Sequence, residues 1–178
     1  YETGALVINA VDLFSQNTEM QRRLLVAAIR WISGAKHPPR ADSVANLQVA
    51  MMHEGRTATL GGCRIARTAK PGAPLSEGNI LITREPRAVS GPAPYSPGAL
   101  WDHRWRIGGP EAPDLEIRAL TAEGLAQVKD WRESGLRRAA LLVSPALWRG
   151  DTLISAPLLP QFAGEYRADR YPSFGSFI

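Results

Sequence analysis

Side chains that could carry out chemistry are few and scattered along the sequence. The chain has one cysteine, Cys63, and three distant histidines, His37, His53 and His103. Their spacing is not that of a metal site, and a single cysteine cannot form an internal disulfide. We therefore expect Cys63 to be a small buried apolar residue. The nearest approach to an acid–base pair is Asp102–His103, but neighbouring residues of a strand point to opposite faces. Asp102 is thus predicted to be a turn or ion-pair residue.

Motifs for nucleotide binding and hydrolysis are missing from the sequence. It contains no GxxxxGK[ST] loop, no GxGxxG at the start of a helix and no GxSxG. Gly61–Gly62 lies within a strand-like run and is not followed by Lys-Ser. We therefore expect no catalytic residue, no metal and no cofactor in this chain. The same lack of clustered titratable residues disfavours an independent small-molecule enzyme.

Positive charge is concentrated in the first half of the chain. Residues 1–90 contain eleven Lys and Arg against seven Asp and Glu, whereas residues 91–178 contain ten of each. A basic half fits a polyanionic partner, because each Lys or Arg that meets a phosphate releases counterions. The candidate RNA-binding residues are Arg22, Arg23, Arg30, Arg40, Arg56, Arg64, Arg67 and Arg84. Most of them are selected for charge and expected exposure, and the alternative for each is a solvated surface arginine or a local ion pair.

Tryptophans could also contribute to RNA recognition by stacking on unpaired bases. Core packing is the favoured interpretation, because these residues fall at apolar strand or helix positions. It applies to Trp31, Trp101, Trp105, Trp131 and Trp148.

The first half predicts two helices followed by a small sheet. Apolar residues at helical spacing predict a helix over 18–33 that ends at Gly34, and a second helix over about 42–54. The β-like segments 57–67 and 79–84 predict a hairpin with a long Pro/Gly-rich loop.

The second half predicts a mixed α/β module. Strands are expected over 101–107 and 115–119, and a helix over 121–133 closed by Gly135. A hairpin over 147–154 is expected to turn at Gly150–Asp151. The last eighteen residues are not assigned.

Composition divides the chain into two small domains. Residues 89–99 are rich in Pro, Gly and Ser and are predicted to be a linker between domains at 1–88 and 100–178. The predicted fold class is α+β, with a helical pair and short antiparallel sheet followed by a mixed α/β module.

Four groups of residues carry a resemblance to a known family. They are HPPR at 37–40, TLGGCRI at 59–65 with ILITREP at 80–86, LWDHR at 100–104, and SPALWRGDTLISAP at 144–157. In this order they resemble the accessory region of proteobacterial tRNA(Ile)-lysidine synthases. Arg40 and Arg64 lie inside these strings, although Arg64 could instead be structural.

The resemblance implies a specific task. Such ligases use ATP to adenylate the wobble cytidine of an isoleucine tRNA with a CAU anticodon, and a lysine amine then displaces AMP to form lysidine. That chemistry belongs to an N-terminal domain with a Ser-Gly-Gly-x-Asp-Ser loop, which this sequence lacks. The chain begins at Tyr1, which suggests an excised fragment. It is therefore expected to be the tRNA-recognition part of this C–N bond-forming ligase, inactive alone, with ATP and lysine used by the missing domain.

The expected partners are tRNA and the N-terminal catalytic domain of the same protein, with a possible homodimer. No apolar run is long enough for a membrane span, and a cytoplasmic location is expected. The alternative is a structural or protein-interaction module for dimerisation or docking, without direct RNA contact. The neutral second half fits that alternative.

Overall fold

The computed structural model describes residues 3–52, 57–68, 78–172 and 174–177. The chain divides into two compact units. Unit 1 contains the described residues of 5–85 and of the segment from Pro172 onward, and unit 2 contains Thr3, Gly4 and residues 86–171. Helices and antiparallel sheets are both present, so the predicted α+β class is confirmed. No helix within the described ranges is long and apolar enough to cross a membrane.

Unit 1 consists of helices packed on a four-stranded antiparallel sheet with strand order β1-β4-β3-β2. Its elements are β1 (Leu6–Asn9), α1 (Ala10–Phe14), α2 (Thr18–Ser33), α3 (Ala41–Met51), β2 (Thr57–Leu60), β3 (Cys63–Thr68), β4 (Asn79–Arg84) and a 3-10 helix at Phe174–Phe177. The core lies between the helices and one face of the sheet.

Helix α2 has the bounds that its sequence predicts. The Asn17 side chain accepts a hydrogen bond from the backbone N–H of Met20 at 2.9 Å and so caps the first turn. Gly34 ends the helix with φ 70°, a left-handed conformation that glycine adopts without steric cost. Helix α3 is also confirmed, although its predicted last residues, 53 and 54, lie outside the described residues.

The sequence predicts one strand over the β-like segment 57–67. This segment is instead a hairpin of β2 and β3. Gly61 and Gly62 form its two-residue turn, with φ values of 58° and 72°. Positive φ at both positions matches the twist of a tight hairpin. Strand β3 then pairs with β4 from Cys63↔Arg84 to Thr68↔Asn79.

The end of the chain covers part of α2. The buried indole of Trp31 donates a hydrogen bond from Nε1 to the carbonyl oxygen of Pro172 at 3.0 Å. The ring of Phe174 meets the same indole edge-on, with ring centroids 5.6 Å apart. The core interpretation of Trp31 is confirmed, and Phe174, one of the unassigned C-terminal residues, packs against that core.

Replacing Phe174 by Ala is expected to lower the free energy of unfolding of unit 1 by about 1–3 kcal/mol, because an edge-to-face contact and apolar burial are lost. Urea unfolding followed by circular dichroism measures this change. Phe174→Leu retains apolar volume and should lose less. Equal stability of the wild type and the Ala variant would show that the contact does not stabilise the fold.

Unit 2 contains two antiparallel sheets, of strand order β10-β9-β8-β5 and β11-β7-β6. Its strands and helices are β5 (Ala93–Pro94), β6 (Ala99–Trp101), β7 (Trp105–Gly108), β8 (Glu116–Ala119), α4 (Thr121–Gln127), α5 (Arg138–Leu141), β9 (Pro145–Arg149), β10 (Thr152–Ser155) and β11 (Arg167–Arg170). Short 3-10 helices lie at Pro86–Ala88, Trp131–Ser134 and Pro160–Phe162.

Several predicted elements of unit 2 differ from those observed. The hairpin that turns at Gly150–Asp151 is confirmed. The strand expected over 101–107 is interrupted by a turn, and the helix expected over 121–133 ends at Gln127. It ends there because Val128 is extended and Asp130 is left-handed, with φ 52°.

The segment expected to be a linker takes part in the fold of unit 2. Ala93 and Pro94 pair with Ile117 and Glu116, and the Tyr95 side chain is buried in the core. Trp101, Trp105 and Trp148 are buried as predicted, whereas Trp131 is only partly buried.

A buried ion pair joins four segments of unit 2. Nε of Arg104 donates to Oδ2 of Asp102 at 2.6 Å, and the two side chains are 1% and 0% exposed. Oδ1 of Asp102 accepts from the backbone N–H of Ser90 at 3.0 Å. The other Arg104 nitrogens donate to the carbonyl oxygens of Gly4 and Val143. Asp102 is thus both a turn residue, with φ 50°, and an ion-pair residue, as expected from the sequence.

Replacing Asp102 by Ala is expected to destabilise unit 2 by about 3–5 kcal/mol, because it leaves the Arg104 charge buried without its carboxylate. Urea unfolding followed by tryptophan fluorescence measures the change. The matched control is Asp114→Ala, which removes a carboxylate from an exposed pair with Arg149 and should have little effect. Similar losses in both variants would contradict a special role for the buried pair.

Candidate nucleic-acid interface

The structure separates the eight candidate arginines by exposure. Arg23, Arg40 and Arg64 are exposed, and Arg22 and Arg30 are partly buried. Arg67 and Arg84 are only 7% exposed, so the expectation that they lie on the surface is wrong. Arg56 lies outside the described residues.

Strand geometry explains why Arg67 and Arg84 are buried. Side chains alternate between the two faces of a strand, so Arg67 shares the helix-covered face of β3 with Cys63 and Ile65. On β4, Arg84 lies directly opposite Cys63. Arg64 points to the other face, where its guanidinium lies 3.4 Å from the Thr57 hydroxyl.

Arg22 already has an acidic partner on its own helix. Its Nε and Nη2 donate to the two carboxylate oxygens of Glu19 at 2.7 and 2.8 Å. This hydrogen bonding lowers the pKa of the Glu19 carboxyl and raises the pKa of Arg22. The carboxylate compensates the Arg22 charge, whereas the guanidinium of Arg23 forms no hydrogen bond or ion pair within the described residues. Arg23 is therefore better placed than Arg22 to meet an anion.

The Gly61–Gly62 turn packs against the end of α2 and the proline joint that follows it. A β-carbon at Gly61 would lie 2.9 Å from Cγ2 of Ile29 and 3.9 Å from Cγ of Pro39. Sγ of Cys63 lies 3.5 Å from the carbonyl oxygen of Ile29. The turn, the last turns of α2 and the joint therefore meet at one end of unit 1.

Four basic residues lie on the elements that meet at this turn, and we call them the basic end of unit 1: Arg30, Lys36, Arg40 and the buried Arg84. Nη2 of Arg30 donates to the carbonyl oxygen of Lys36 at 3.0 Å, and Nη1 of Arg84 donates to that of Gly62 at 3.1 Å. The structure thus brings together three of the candidate arginines that lie far apart in sequence. The elements that form this end also carry the carboxylates of Asp42 and Glu85, so its charge is positive but partly compensated.

Lys36 was not among the candidates chosen from the sequence. It lies between Gly34 and the two prolines of the joint, is exposed, and its ammonium forms no ion pair within the described residues. A lysine between two helix-breaking positions is usually solvated. The position of Lys36 between Gly34 and the prolines was therefore the sequence signal that could have identified it as an exposed basic residue.

Titratable side chains offer little else at this end. The described residues contain no group of three or more His, Cys, Asp or Glu that could hold a metal ion. Cys63 is fully buried, as the sequence predicts. The arrangement is suited to binding anions through guanidinium and ammonium groups.

Replacing Gly61 by Ala is expected to lower the free energy of unfolding by about 2–4 kcal/mol, because a positive φ and a close approach to Ile29 act together. The matched control is Gly150→Ala, where φ is also positive, at 55°, but no atom lies within 4 Å of the added carbon. That variant should lose only about 1–2 kcal/mol. Equal losses in thermal unfolding would contradict the packing of the turn against α2.

Together, the fold and this end define an α+β protein with a cluster of basic residues and no metal-ligand cluster among its described residues. Comparison with known proteins adds a relative. The chain is 43% identical over 141 residues, 79% of its length, to the tRNA(Ile)-lysidine synthase of Ruegeria pomeroyi. The resemblance expected from the sequence is thereby confirmed, and the chain is homologous to part of a tRNA(Ile)-lysidine synthase, a ligase.

The aligned region covers only part of that relative. It amounts to 31% of the length of the Ruegeria protein. No family model matches the chain, and no solved structure matches it.

Proposed function

We propose that this chain is the tRNA-recognition part of a tRNA(Ile)-lysidine synthase. The observation that carries the proposal is its 43% identity to such an enzyme over 79% of the chain. The basic end of unit 1 supports it, because a polyanion is the partner that clustered arginine and lysine side chains favour. Within the proposal, ATP and lysine are used by the remainder of the full-length enzyme, which is also a partner of this chain.

The basic end suits phosphate binding because part of it is preorganised. Arg30 is fixed by a hydrogen bond to the backbone carbonyl of Lys36, whereas the buried Arg84 is bonded to the carbonyl of Gly62 and contributes positive charge without a phosphate contact. Lys36 and Arg40 are exposed and have no competing ion pair within the described residues. An arginine can bind a phosphate with two parallel hydrogen bonds, whereas a lysine acts as a mobile point charge.

Arg23 and Arg64 are proposed as additional phosphate contacts because both are exposed. Arg67 is assigned a structural role, since its side chain lies on the helix-covered face of the sheet. From position 91 onward the chain carries equal numbers of positive and negative charges. Unit 2 is therefore proposed to contribute contacts that depend on shape.

The double variant Lys36→Glu/Arg40→Glu is expected to weaken binding to the isoleucine CAU tRNA by at least about tenfold, because two phosphate contacts are lost. The slope of log K against log salt should become shallower by about two. Fluorescence anisotropy at several salt concentrations, with the methionine tRNA measured in parallel, gives both quantities.

The matched control is Arg149→Glu/Arg167→Glu, which makes the same change in charge at exposed positions of unit 2. It should leave most of the affinity and the salt slope intact. Equal losses in the two double variants would mean that only net charge matters. Unchanged affinity of the Lys36/Arg40 variant would refute the role of the basic end.

An interaction module without RNA contact is the second candidate function, and one feature of α3 favours it. Val49 is 61% exposed and Met52, just after the helix, is 49% exposed. Light scattering with and without tRNA separates the two functions. A dimer that does not bind tRNA would support the module, and a monomer that binds tRNA would support the proposal above.

A further inference from the structure

Unit 2 has a surface pocket that the proposed function does not use. Its volume is about 370 Å³, within the range of roughly 300–1,000 Å³ that is typical of small-ligand sites. Part of its lining comes from α4 and the residue that follows it, including Leu125 and Val128, which are almost fully buried. The remaining wall consists of Asp130, Trp131, Arg132 and Arg138, and we call this set the Trp131 pocket.

Trp131 differs from the other four tryptophans because it is only partly buried. Part of its ring packs against the core of unit 2, which fixes the indole in place. The Arg132 guanidinium lies over the ring, 4.7 Å from its centroid. The guanidinium thus covers this face of the indole, and because Arg132 is exposed it presents a planar, positively charged group to the pocket. Nucleobases stack both on aromatic rings and on guanidinium planes.

The polar groups of the pocket are available to a ligand. Arg132 and Arg138 are exposed, and neither guanidinium forms a hydrogen bond or ion pair within the described residues. The Asp130 carboxylate is likewise unbonded there, and its backbone has φ 52°, which is costly for a residue with a β-carbon.

We propose that the Trp131 pocket binds one nucleoside monophosphate group. The base stacks on the Arg132 guanidinium, which lies over Trp131, Arg138 binds the phosphate, and the Asp130 carboxylate accepts a hydrogen bond from an exocyclic amino group of the base. Adenine, cytosine and guanine carry such a group, so the pocket favours them over uracil. The nucleotide is supplied either free in solution or as one unpaired nucleotide of an RNA.

This inference concerns unit 2 and does not depend on phosphate binding at the basic end of unit 1. It is tested with the 178-residue chain and mononucleotides, without tRNA. Failure here would therefore leave the proposed function standing, and failure of the tRNA experiment would leave this test intact.

The experiment is a titration of the chain with AMP, CMP, UMP and adenosine, followed by tryptophan fluorescence. Because the other four tryptophans are buried, quenching by a stacked base reports on Trp131. Saturable quenching by AMP and CMP is expected, with UMP and uncharged adenosine about tenfold weaker, since each lacks one polar contact. A short single-stranded RNA that binds more tightly than AMP would identify RNA as the source, and weaker binding would identify the free nucleotide.

The test variants are Arg138→Gln and Asp130→Asn, and the matched control is Arg137→Gln. Arg137 is an exposed neighbour of Arg138 that does not line the pocket. Arg138→Gln should bind AMP about tenfold more weakly, whereas Arg137→Gln should bind like the wild type. Circular dichroism of each variant confirms that the fold is retained. Absence of saturable quenching by both AMP and the RNA, or equal losses in the Arg137 and Arg138 variants, would overturn the proposal.

Discussion

The two-glycine turn at Gly61–Gly62 sets the register of β3, and most of unit 1 follows from it. A shift of one residue would turn every side chain of β3 to the opposite face. In the observed register, Cys63 and Ile65 enter the core and Arg64 faces outward. The same turn packs against Ile29 and so brings the end of α2 and the proline joint beside it. The basic end therefore depends on a turn that contains no charged residue.

The sequence predicted those elements whose ends are set by a capping or turn residue. Asn17 and Gly34 define α2, and Gly150 defines a hairpin, because capping and turn formation involve only a few neighbouring residues. The interruption at Gly61 was missed because Thr57–Arg67 has strand-forming residues on both sides of the glycines. The packing of Phe174 on Trp31 could not be predicted, since no local pattern links positions more than 140 residues apart.

The candidate site was predictable in composition but not in arrangement. A count of charges identifies the basic half of the chain, yet it cannot distinguish Arg40, which is exposed, from Arg84, which is buried. Arg104 and Arg106 illustrate the same problem in unit 2: one forms a buried ion pair and the other is exposed. Family resemblance was more informative than charge, because it depends on several ordered strings instead of one residue type.

The chain passes between the two units after Gly4, after Glu85 and after Tyr171. Neither unit is therefore a continuous stretch of sequence. During synthesis, Trp31 leaves the ribosome long before Pro172 and Phe174 exist, and all of residues 86–171 are translated in between. Unit 1 can acquire its last core contacts only after unit 2 has been made. A fragment cut at the apparent boundary near residue 88 would thus leave the Trp31 indole without its hydrogen-bond acceptor, however well the helices themselves formed.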